Sequence, residues 1–464
     1  MHFHLRNLRL HMETNGTPQS PAGDWRSYER MLLPPIQDLH KLGVYEEHGG
    51  YDRLRRVLED DAFEPSDVTD EVKASGLTGR GGAGFPTGIK WTFMPEPDER
   101  PRFIGVNADE SEPGTFKDRQ VMEYNPHLML EGILLAGYAL HIDTAYVYIR
   151  GEYTDWIVHL KEQLENAYEA GYVGENIMGS DFTMDIVLHK GAGAYICGEE
   201  TSLMESLEGK RGYPRYKPPF PAQSGIFGSP TTINNAETLA HVPLIVEQGG
   251  EAYSNIGAGD MPGPALYGMS GHVKNPGVYE FPTGMLLTDM IYDVCGGMAR
   301  DKDLKAVVPG GSSVPPVPAD QIDGISMNDE SLGEVGSRTG TFCPLVLDEE
   351  TDMVSFLRRV AHFYQDETCG QCTPCREGTS WLEKILARID EGEGRMRDID
   401  LLLELCDNMD GGRTICAFAD GAVGPVRATV KRFREEFAAK CQASVHPVST
   451  EVSAGAGSAV AATE

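Results

Sequence analysis

Short apolar runs alternate with longer apolar stretches along the first half of the chain. Residues 102–106, 145–149 and 183–188 are short, rich in β-branched and aromatic residues, and predict β-strands. Residues 128–140 and 156–170 carry apolar positions at helical spacing and predict α-helices between those strands. Alternation of this kind indicates an α/β domain with a largely parallel sheet.

The pattern changes at about residue 251, where glycines punctuate short strand-like runs. Residues 265–267 and 277–280 predict strands and residues 285–294 predict a helix, which together indicate a small α+β domain. In the last third of the chain, apolar positions recur at helical spacing, which predicts a set of packed helices. The two ends of the chain are rich in polar and small residues and are predicted to be disordered.

Acidic residues outnumber basic residues by a wide margin. The 464 residues include 71 Asp and Glu against 40 Lys and Arg, which gives a formal net charge of −31. A surface this acidic argues against nucleic acid and against anionic membranes as partners. It favours a halophilic source, in which high salt screens the charge, although an acidic bacterial protein of ordinary habitat would share the composition.

The chain contains no apolar segment of the length that a bilayer requires, and its first residues do not have the pattern of a signal peptide. We therefore predict a cytoplasmic protein without direct membrane insertion. Met12 is an alternative start to Met1.

Residues 79–91 combine five glycines with one lysine and two aromatic residues. Glycine lets the backbone approach a ligand closely, so successive N–H groups can converge on an anion, and Lys90 would add positive charge. The glycines also match the dinucleotide fingerprint G-x-G-x-x-G, but that fingerprint follows a strand, and residues 70–77 do not predict one. A phosphate-binding loop of another kind is favoured over a Rossmann fingerprint and over an ordinary glycine-rich turn.

Two further polar stretches follow predicted strands. Residues 107–114 begin where the first predicted strand ends, which is the edge at which ligands of open α/β sheets bind. Residues 191–202 form a second glycine-rich stretch that leads into a helix predicted to begin near Glu199. Glu199 and Glu200 would not bind a phosphate, but their carboxylates can accept hydrogen bonds from hydroxyl or amide groups.

Three of the nine cysteines, Cys369, Cys372 and Cys375, form a C-x-x-C-x-x-C motif. One tight loop can present three thiolates to one cluster, and a distant fourth ligand is then required. The candidates for the fourth ligand are Cys406, Cys416 and Cys441. Cys416 is favoured because it lies in a predicted loop between helices. Zinc is the competing metal, but zinc sites favour paired C-x-x-C motifs, so a [4Fe–4S] cluster is the preferred hypothesis.

Together these motifs resemble the NADH-binding flavoprotein subunit of respiratory complex I (the F-type subunit) and the related diaphorase subunits of NAD-linked hydrogenases and formate dehydrogenases. The resemblance covers residues 31–441 and rests on residues 79–91, 107–119, 191–202, 217–227 with 231–237, and 369–378 with Cys416. It implies one FMN, one NADH site and one [4Fe–4S] cluster. It also implies a Rossmann-like α/β flavin domain, a β-grasp (ubiquitin-like, soluble-ligand-binding) domain and a C-terminal helical bundle that carries the cluster.

The resemblance assigns sixteen cofactor-binding residues by position. FMN would be held by Gly79, Gly81, Lys90, Asn107, Asp109, Gly198, Asn234 and Asn235, with Glu110 and Glu199 close to it. NADH would contact Phe85 and Phe93 on its adenine side, and Glu112, Glu200, Lys217 and Phe220 along the rest of its site. The cluster would be bound by Cys369, Cys372, Cys375 and Cys416. No catalytic acid or base is predicted, because hydride transfer to a flavin does not need one.

By the same resemblance, the FMN- and NADH-binding domain spans residues 31–250, the β-grasp domain residues 251–340 and the helical bundle residues 341–441. A disordered lead-in (1–30) and a disordered tail (442–464) would flank them. The implied partners are NADH, a separate thioredoxin-like [2Fe–2S] subunit and a multi-cluster iron–sulfur subunit, in a complex that could hold the chain at the cytoplasmic face of the membrane.

Three functions are compatible with these motifs. The first is the NADH dehydrogenase module of a complex I-like respiratory enzyme. The second is the diaphorase subunit of an NAD-dependent hydrogenase or formate dehydrogenase. The third is an electron-relay subunit that has lost its flavin, and the intact Lys90, Asp109 and Glu200 argue against it.

Overall fold

The computed structural model describes residues 22–60 and 62–442. The alternative start at Met12, most of the predicted lead-in and the predicted tail beyond residue 442 lie outside the described residues. Among the residues that are described, no helix is both long enough and apolar enough to cross a bilayer.

Four parallel strands form the first sheet. They are β1 (Phe103–Ala108), β2 (Thr144–Ile149), β3 (Asp185–Lys190) and β4 (Thr231–Asn235). Their spatial order is β3–β2–β1–β4, so the chain moves outward from β1 to β3 and then returns to place β4 on the other side of β1. In this register Gly105 pairs with Tyr146 on one side and with Ile233 on the other. The predicted α/β fold with a parallel sheet is confirmed.

Helices surround this sheet. In chain order they are α1 (Leu42–Glu47), α2 (Asp52–Glu59), α3 (Pro65–Ala74), α4 (Thr87–Trp91), α5 (Asp118–Tyr124), α6 (Pro126–Leu140), α7 (Thr154–Glu169), α8 (Glu200–Leu207), α9 (Ala236–Ala240), α10 (Val242–Gln248) and α11 (Gly250–Ser254). Helix α6 is apolar on nearly all faces, and it is buried because it packs against α3, α9 and α10. Its one charged residue, Glu131, is buried and accepts hydrogen bonds from the Tyr45 hydroxyl at 2.5 Å and the Tyr51 amide at 3.2 Å.

A mixed five-stranded sheet follows. Its strands are β5 (Pro264–Gly271), β6 (Gly277–Pro282), β7 (Leu304–Val308), β8 (Val317–Pro318) and β9 (Leu345–Asp348), with helix α12 (Asp329–Glu334) before β9. The spatial order is β6–β5–β9–β7–β8, in which β5 and β9 are parallel and the other neighbours are antiparallel. Because β9 lies between β5 and β7, the predicted domain boundary at residue 340 is too early. The predicted helix at residues 285–294 is reduced to a π-helical segment, Asp289–Val294.

The last third of the described chain is helical. The helices are α13 (Met353–Glu367), α14 (Thr373–Asp390), α15 (Met396–Met409), α16 (Phe418–Arg432) and α17 (Arg434–Ala439), and the short strands β10 (Gly394–Arg395) and β11 (Cys441–Gln442) pair in parallel. The helices pack around a shared apolar core that includes Leu357, Leu386 and Leu402. Helices α16 and α17 are separated at Phe433, where the backbone leaves the helical region (φ −119°).

The N-terminal segment packs against the second sheet. The Glu280 carboxylate of β6 accepts hydrogen bonds from the Tyr28 hydroxyl at 2.8 Å and from the backbone N–H groups of residues 31–33 at 2.6–2.9 Å. Trp25 is buried in the apolar core beside this sheet. The predicted disorder of the lead-in is therefore wrong for residues 22–30, because these tertiary contacts outweigh a polar local composition.

Candidate functional site

A cavity of about 800 Å³ lies at the carboxyl end of β1 and alongside β4. The order of the first sheet reverses at β1, because β2 and β3 lie on one side of it and β4 on the other. Ligands of open α/β sheets bind outside the carboxyl ends of the strands at such a switch point. Asn107 and residues 231–235 of the sheet form part of the cavity lining, and the glycine-rich loop and the start of α8 form another part of it.

Thirteen of the sixteen predicted cofactor-binding residues, all in the described part of the chain, line this cavity. They are Gly79, Gly81, Phe85, Lys90, Phe93, Asn107, Gly198, Glu199, Glu200, Lys217, Phe220, Asn234 and Asn235. These residues come from five separate stretches of sequence, so the fold brings together groups that are up to 156 positions apart in the numbering.

The glycine-rich loop follows helix α3 rather than a strand, as predicted, so it is not a Rossmann fingerprint. Gly82 and Gly84 have φ values of +104° and +66°, a region that residues with a side chain rarely adopt. Arg80, within the loop, is fully buried, and its guanidinium donates to the Pro262 carbonyl at 2.6 Å. Its backbone N–H donates to the Thr238 hydroxyl at 2.9 Å. The loop is therefore held against both helix α9 and the segment that leads into β5 of the second sheet.

Three asparagine side chains are fixed at the cavity wall. The Asn107 amide donates to the Gly198 carbonyl at 2.8 Å, which joins the end of β1 to the second glycine-rich stretch. Asn235 caps α9, because its side-chain oxygen accepts a hydrogen bond from the Thr238 N–H at 3.3 Å. The Asn234 side-chain oxygen accepts a hydrogen bond from the Trp91 indole at 3.3 Å. Their orientations are set before any ligand binds.

A chain of alternating charges crosses the cavity. The Lys90 ammonium donates to the Ile233 carbonyl and lies 3.8 Å from one oxygen of Glu200, and Lys217 forms an ion pair with the other oxygen of Glu200. Burial lowers the pKa of Lys90, an effect that the Glu200 carboxylate opposes. Glu199 is the N-cap of α8, where it accepts the Thr201 N–H at 2.8 Å, and it lies 3.5 Å from Lys217.

Three phenylalanines line the cavity with much of their surface exposed. Phe85, Phe93 and Phe220 are 46%, 57% and 52% exposed. The ring centroids of Phe85 and Phe93 lie 6.1 Å apart. Exposed aromatic side chains grouped at a cavity provide flat apolar faces on which a planar ring system can stack.

Two glycines that line the cavity, Gly79 and Gly198, have room for a side chain as far as the protein itself is concerned. A Cβ atom built at Gly79 would lie 3.6 Å from its nearest protein neighbour, and one at Gly198 would lie 3.7 Å away. These are ordinary van der Waals distances, so the protein itself does not require glycine at either position. Since both residues line the cavity, their missing side chains fit the close approach of a bound molecule.

Asp109, Glu110 and Glu112 are described in the structure but do not line the cavity. Burial raises the pKa of Asp109 to about 7, and its carboxylate accepts a hydrogen bond from Ser111. Glu110 turns toward α5, where it accepts the backbone N–H groups of residues 117 and 118 at 2.6 and 2.8 Å. Glu112 accepts the Tyr195 hydroxyl at 2.6 Å and reaches the second domain. These three predicted cofactor-binding residues therefore lie outside the described lining of the cavity.

The four predicted cluster ligands lie together. Cys369, Cys372, Cys375 and Cys416 line one small pocket formed by the loop before α14 and the loop before α16. Burial raises the pKa of the Cys375 and Cys416 thiols to about 11 and about 12, so a cationic centre would be needed to hold them as thiolates.

The other two candidates for the fourth ligand lie elsewhere: Cys406 is fully buried in the core shared by the C-terminal helices, and Cys441 packs against the same core. Across residues 22–60 and 62–442, no three Cys, His, Asp or Glu side chains converge tightly enough to hold a single metal ion. The choice between zinc and an iron–sulfur cluster therefore rests on comparison with known proteins.

Three sequence families match successive parts of the chain. Residues 72–244 match the Nuo51 FMN-binding domain, residues 266–335 match the SLBB domain, and residues 355–440 match the NADH-ubiquinone oxidoreductase-F iron-sulfur binding region. The second F subunit of the NADH-quinone oxidoreductases of Rhizobium meliloti is 48% identical over 414 residues, which are 89% of this chain and 97% of that protein. The chain belongs to the family of NADH-quinone oxidoreductase F subunits.

Other F subunits are similarly close. That of Streptomyces coelicolor is 47% identical over 88% of this chain and 91% of that protein. Among solved structures, an NAD+-reducing [NiFe]-hydrogenase in the H2-reduced state matches with a TM-score of 0.76 and 36% identity, over 85% of this chain and 65% of that one. The iron-sulfur family match includes all four cysteines of the pocket and decides for an iron–sulfur cluster over zinc.

Nine further described residues line the cavity that the sequence did not indicate. They are Ala83, Thr87, Pro221, Ala222, Gln223, Thr231, Thr232, Ile233 and Thr238. Strand β4 was not predicted because its sequence, TTINN, contains one strongly apolar residue. The β-branched run of residues 231–233 is the signal that could have revealed it.

Proposed function

We propose that this chain oxidises NADH, with FMN as the first electron acceptor and a [4Fe–4S] cluster as the acceptor that follows. The observation that carries the proposal is a cavity lined by thirteen predicted cofactor residues, all within the match to the FMN-binding domain. When bound, FMN supplies the chemistry that couples a two-electron hydride donor to one-electron acceptors. The residues of this chain supply binding, orientation and charge.

The proposed FMN contacts combine backbone, ammonium and amide groups. The glycine-rich loop would offer backbone N–H groups and Lys90 a positive charge to the phosphate. Asn107, Asn234 and Asn235 would hydrogen-bond to polar flavin atoms, since their amides already face the cavity in fixed orientations. Gly198 would leave room for the flavin to approach the backbone.

The proposed NADH contacts lie toward the exposed side of the cavity. Phe85, Phe93 and Phe220 would stack against rings of the dinucleotide, which is supported by their exposure. Glu200 and Lys217 would bind ribose hydroxyl and phosphate groups, and Lys217 would keep Glu200 oriented. No protein acid or base is needed, and the walls would limit access of water and oxygen to the reacting atoms.

The proposed cluster ligands are Cys369, Cys372, Cys375 and Cys416. Their shared pocket lies beside Phe418, whose ring centroid is 5.8 Å from that of Tyr195. Tyr195 begins the turn that ends at Gly198 on the cavity wall. The Tyr195–Phe418 contact and the turn Tyr195–Gly198 therefore join the cysteine pocket to the cavity wall, which supports electron transfer between the two sites.

The finer architecture is part of the proposal. The second domain would be a β-grasp module and the C-terminal helices a bundle that carries the cluster, with the domain boundary moved to about residue 349 so that β9 stays with its sheet. The partners would be iron–sulfur subunits, one of them thioredoxin-like with a [2Fe–2S] cluster and one with several clusters. Through them the chain would associate peripherally with the cytoplasmic face of the membrane.

The second candidate function is that of a diaphorase in a hydrogenase or formate dehydrogenase. It is favoured by the structural match to the NAD+-reducing hydrogenase, whose chain extends beyond the region shared with this one. Both candidates use the same cavity and differ in the partner. Identification of the iron–sulfur proteins that copurify with the native chain separates them.

The test begins with the flavin. The purified chain reconstituted with FMN is expected to release FMN on denaturation and to oxidise NADH with ferricyanide, but not to reduce a membrane quinone. Gly198→Ala is expected to weaken FMN binding at least tenfold, measured by quenching of FMN fluorescence in the apoprotein, while the thermal unfolding midpoint stays close to that of the wild type. The reason is that the added methyl group fits the protein but occupies space at the cavity wall.

The matched control is Gly43→Ala. Gly43 lies in α1, away from the cavity, and a Cβ there would meet no atom within 4 Å. Its FMN affinity should equal that of the wild type. If Gly198→Ala binds FMN as tightly as Gly43→Ala, the cavity is not the flavin site. If the wild type itself binds no FMN and oxidises no NADH, the proposed function is wrong.

A further inference from the structure

A buried ion cluster lies directly behind the cavity wall. It consists of Lys117, Asp118 and Glu237, whose side chains are 1%, 6% and 0% exposed. The Lys117 ammonium contacts Asp118 at 2.7 Å and also forms an ion pair with Glu237. Ionised groups removed from water are costly unless paired. The burial of one lysine with two carboxyl groups is therefore a costly arrangement, which indicates a functional or structural role for the cluster.

This buried ion cluster touches the cavity through one side chain. The Asn235 amide, which lines the cavity, donates a hydrogen bond to Asp118 at 2.6 Å. Its oxygen caps α9 at Thr238, and Glu237 lies in the first turn of that helix. Asp118 is thus one side chain away from the space that the proposed function gives to FMN.

The charges around Asp118 are unbalanced. The groups that face it are Lys117 from its own segment, Glu110 from the loop after β1, Glu237 from α9 and Asn235 from β4. Three carboxyl groups therefore share one ammonium group. Burial would raise the pKa of Glu237, but Lys117 and His241 hold it below its usual range. Lys117 also contacts Asp118, and one ammonium group can balance only one of the two negative charges.

Asp118 is left as the group whose charge can change. Burial raises the pKa of Asp118, Lys117 opposes this rise, and Glu110 and Glu237 add to it, so that the pKa is raised to about 7. Its charge state therefore responds to any new charge that appears in the cavity near neutral pH.

We propose that Asp118 is a proton-binding group of the flavin site, which takes up one proton when negative charge enters the cavity and releases it when that charge leaves. The inference rests on the proposed function. Its balance is simple: a hydride brings two electrons and one proton into the site, and the Asp118 carboxylate binds one further proton from solvent to become a carboxylic acid. No bond forms between Asp118 and the cofactor, and Asn235 transmits the interaction. Asp118 is in this sense a positioning residue, not a catalytic one.

The experiment measures the midpoint potential of the bound flavin as a function of pH in the holoprotein, for the wild type and for Asp118→Asn. At about pH 5.5, Asp118 is protonated whether the flavin is oxidised or reduced, so the two proteins should have the same potential. Toward about pH 8.5 the wild-type Asp118 is ionised before reduction, so its potential should fall below that of the variant. The two curves are expected to diverge above pH 7, in which range only the wild type takes up the additional proton.

A second measurement uses infrared difference spectra between the oxidised and reduced holoprotein at about pH 8, one unit above the pKa of Asp118. The wild type should gain a band of a protonated carboxyl group on reduction, and Asp118→Asn should lack it. Glu131→Gln is the matched control: Glu131 is also a buried carboxyl whose pKa is raised by burial, but it lies on α6 and contacts no residue of the cavity lining. This variant should keep both the band and the wild-type pH dependence.

Parallel potential curves for the wild type and Asp118→Asn, or a carboxyl band that survives in Asp118→Asn, would overturn the inference while leaving the proposed function intact. Absence of flavin binding or of reduction by NADH would overturn the proposed function and this inference with it. Should Asp118→Asn fail to fold, the wild type decides alone: a reduction spectrum at about pH 8 without a carboxyl band would refute the role of Asp118.

Discussion

Replacement of Glu200 by Gln is expected to weaken the preference for NADH over NADPH. Glu200 is the first residue of α8 and lines the cavity, with Lys217 on one carboxylate oxygen and Lys90 3.8 Å from the other. In the proposed NADH site, a carboxylate in this position would bind ribose hydroxyl groups and would repel the additional phosphate of NADPH. Gln keeps the shape of the side chain and removes the charge. The two lysines then leave the cavity more positive, which favours the extra phosphate.

The magnitude follows from the distances and the exposure of the side chain. Two unit charges about 4 Å apart interact by about 4 kcal/mol at an effective dielectric constant of about 20, and by about 1 kcal/mol in bulk water. The Glu200 side chain is 28% exposed, and both lysines already screen its charge, so the lower part of this range applies. A change of about 1–2 kcal/mol corresponds to a shift of roughly 5- to 30-fold in the ratio of kcat/KM for the two nucleotides.

The assay measures kcat/KM for NADH and for NADPH with ferricyanide as acceptor, in the wild type, in Glu200→Gln and in a control. Asp155→Asn is the control, because Asp155 is an exposed acidic residue in the first turn of α7 and tests the loss of charge at a helix N-terminus alone. The shift should come mainly from a gain with NADPH. If the ratio stays unchanged and both variants lose only the roughly 0.3–1 kcal/mol of stability typical of such a charge, Glu200 has no part in specificity.

Two further predictions concern the cluster and the surface. Cys416→Ser should abolish the electron paramagnetic resonance signal of the reduced cluster. Cys406→Ser alters a buried thiol in the helical core and should keep that signal. If the signal is lost in Cys406→Ser instead, the fourth ligand has been assigned wrongly. The net charge of −31 should make stability depend on salt, because ions screen self-repulsion over about 10 Å at 0.1 M and over shorter distances in more concentrated salt. The midpoint of thermal unfolding should therefore rise from low to molar KCl. A midpoint that does not change with KCl would contradict a halophilic origin.

The elements that could be predicted from the sequence are those whose signal is local. The three apolar strands, the two longer helices between them and the triplet of cysteines all depend on residues close together in the chain. Strand β4 was missed because it is buried by its neighbours rather than marked by an apolar sequence. The ordered structure of residues 22–30 was not predicted for a related reason. The Glu280 carboxylate, which accepts the hydrogen bond of the Tyr28 hydroxyl, lies 252 positions from Tyr28 in the sequence.

Proximity in sequence does not place every predicted residue at the cavity. Glu110 and Glu112 stand beside Asn107 in the chain, and the family resemblance places all of them at the cofactors. After β1 the chain turns, so Glu110 meets the start of α5 and Glu112 meets Tyr195 and the turn at Ser313. A carboxylate at the end of a strand can bind a ligand or hold the next loop, and which of these it does depends on where that loop goes.

The side chains that lie behind the cavity wall could not be predicted from any local pattern in the sequence. Asn235 and Asp118 are 117 positions apart, and Lys117 and Glu237 are 120 apart, yet the four side chains form one contiguous group because α5 and α9 both begin behind the switch point of the sheet. In the sequence, Lys117 and Asp118 are an ordinary charged pair, and only the parallel order β1–β4 buries them. The residues that touch a cofactor can be proposed from motifs. The residues that set the charge beneath it follow from topology, and for this chain Asp118 is the one whose substitution tests that distinction.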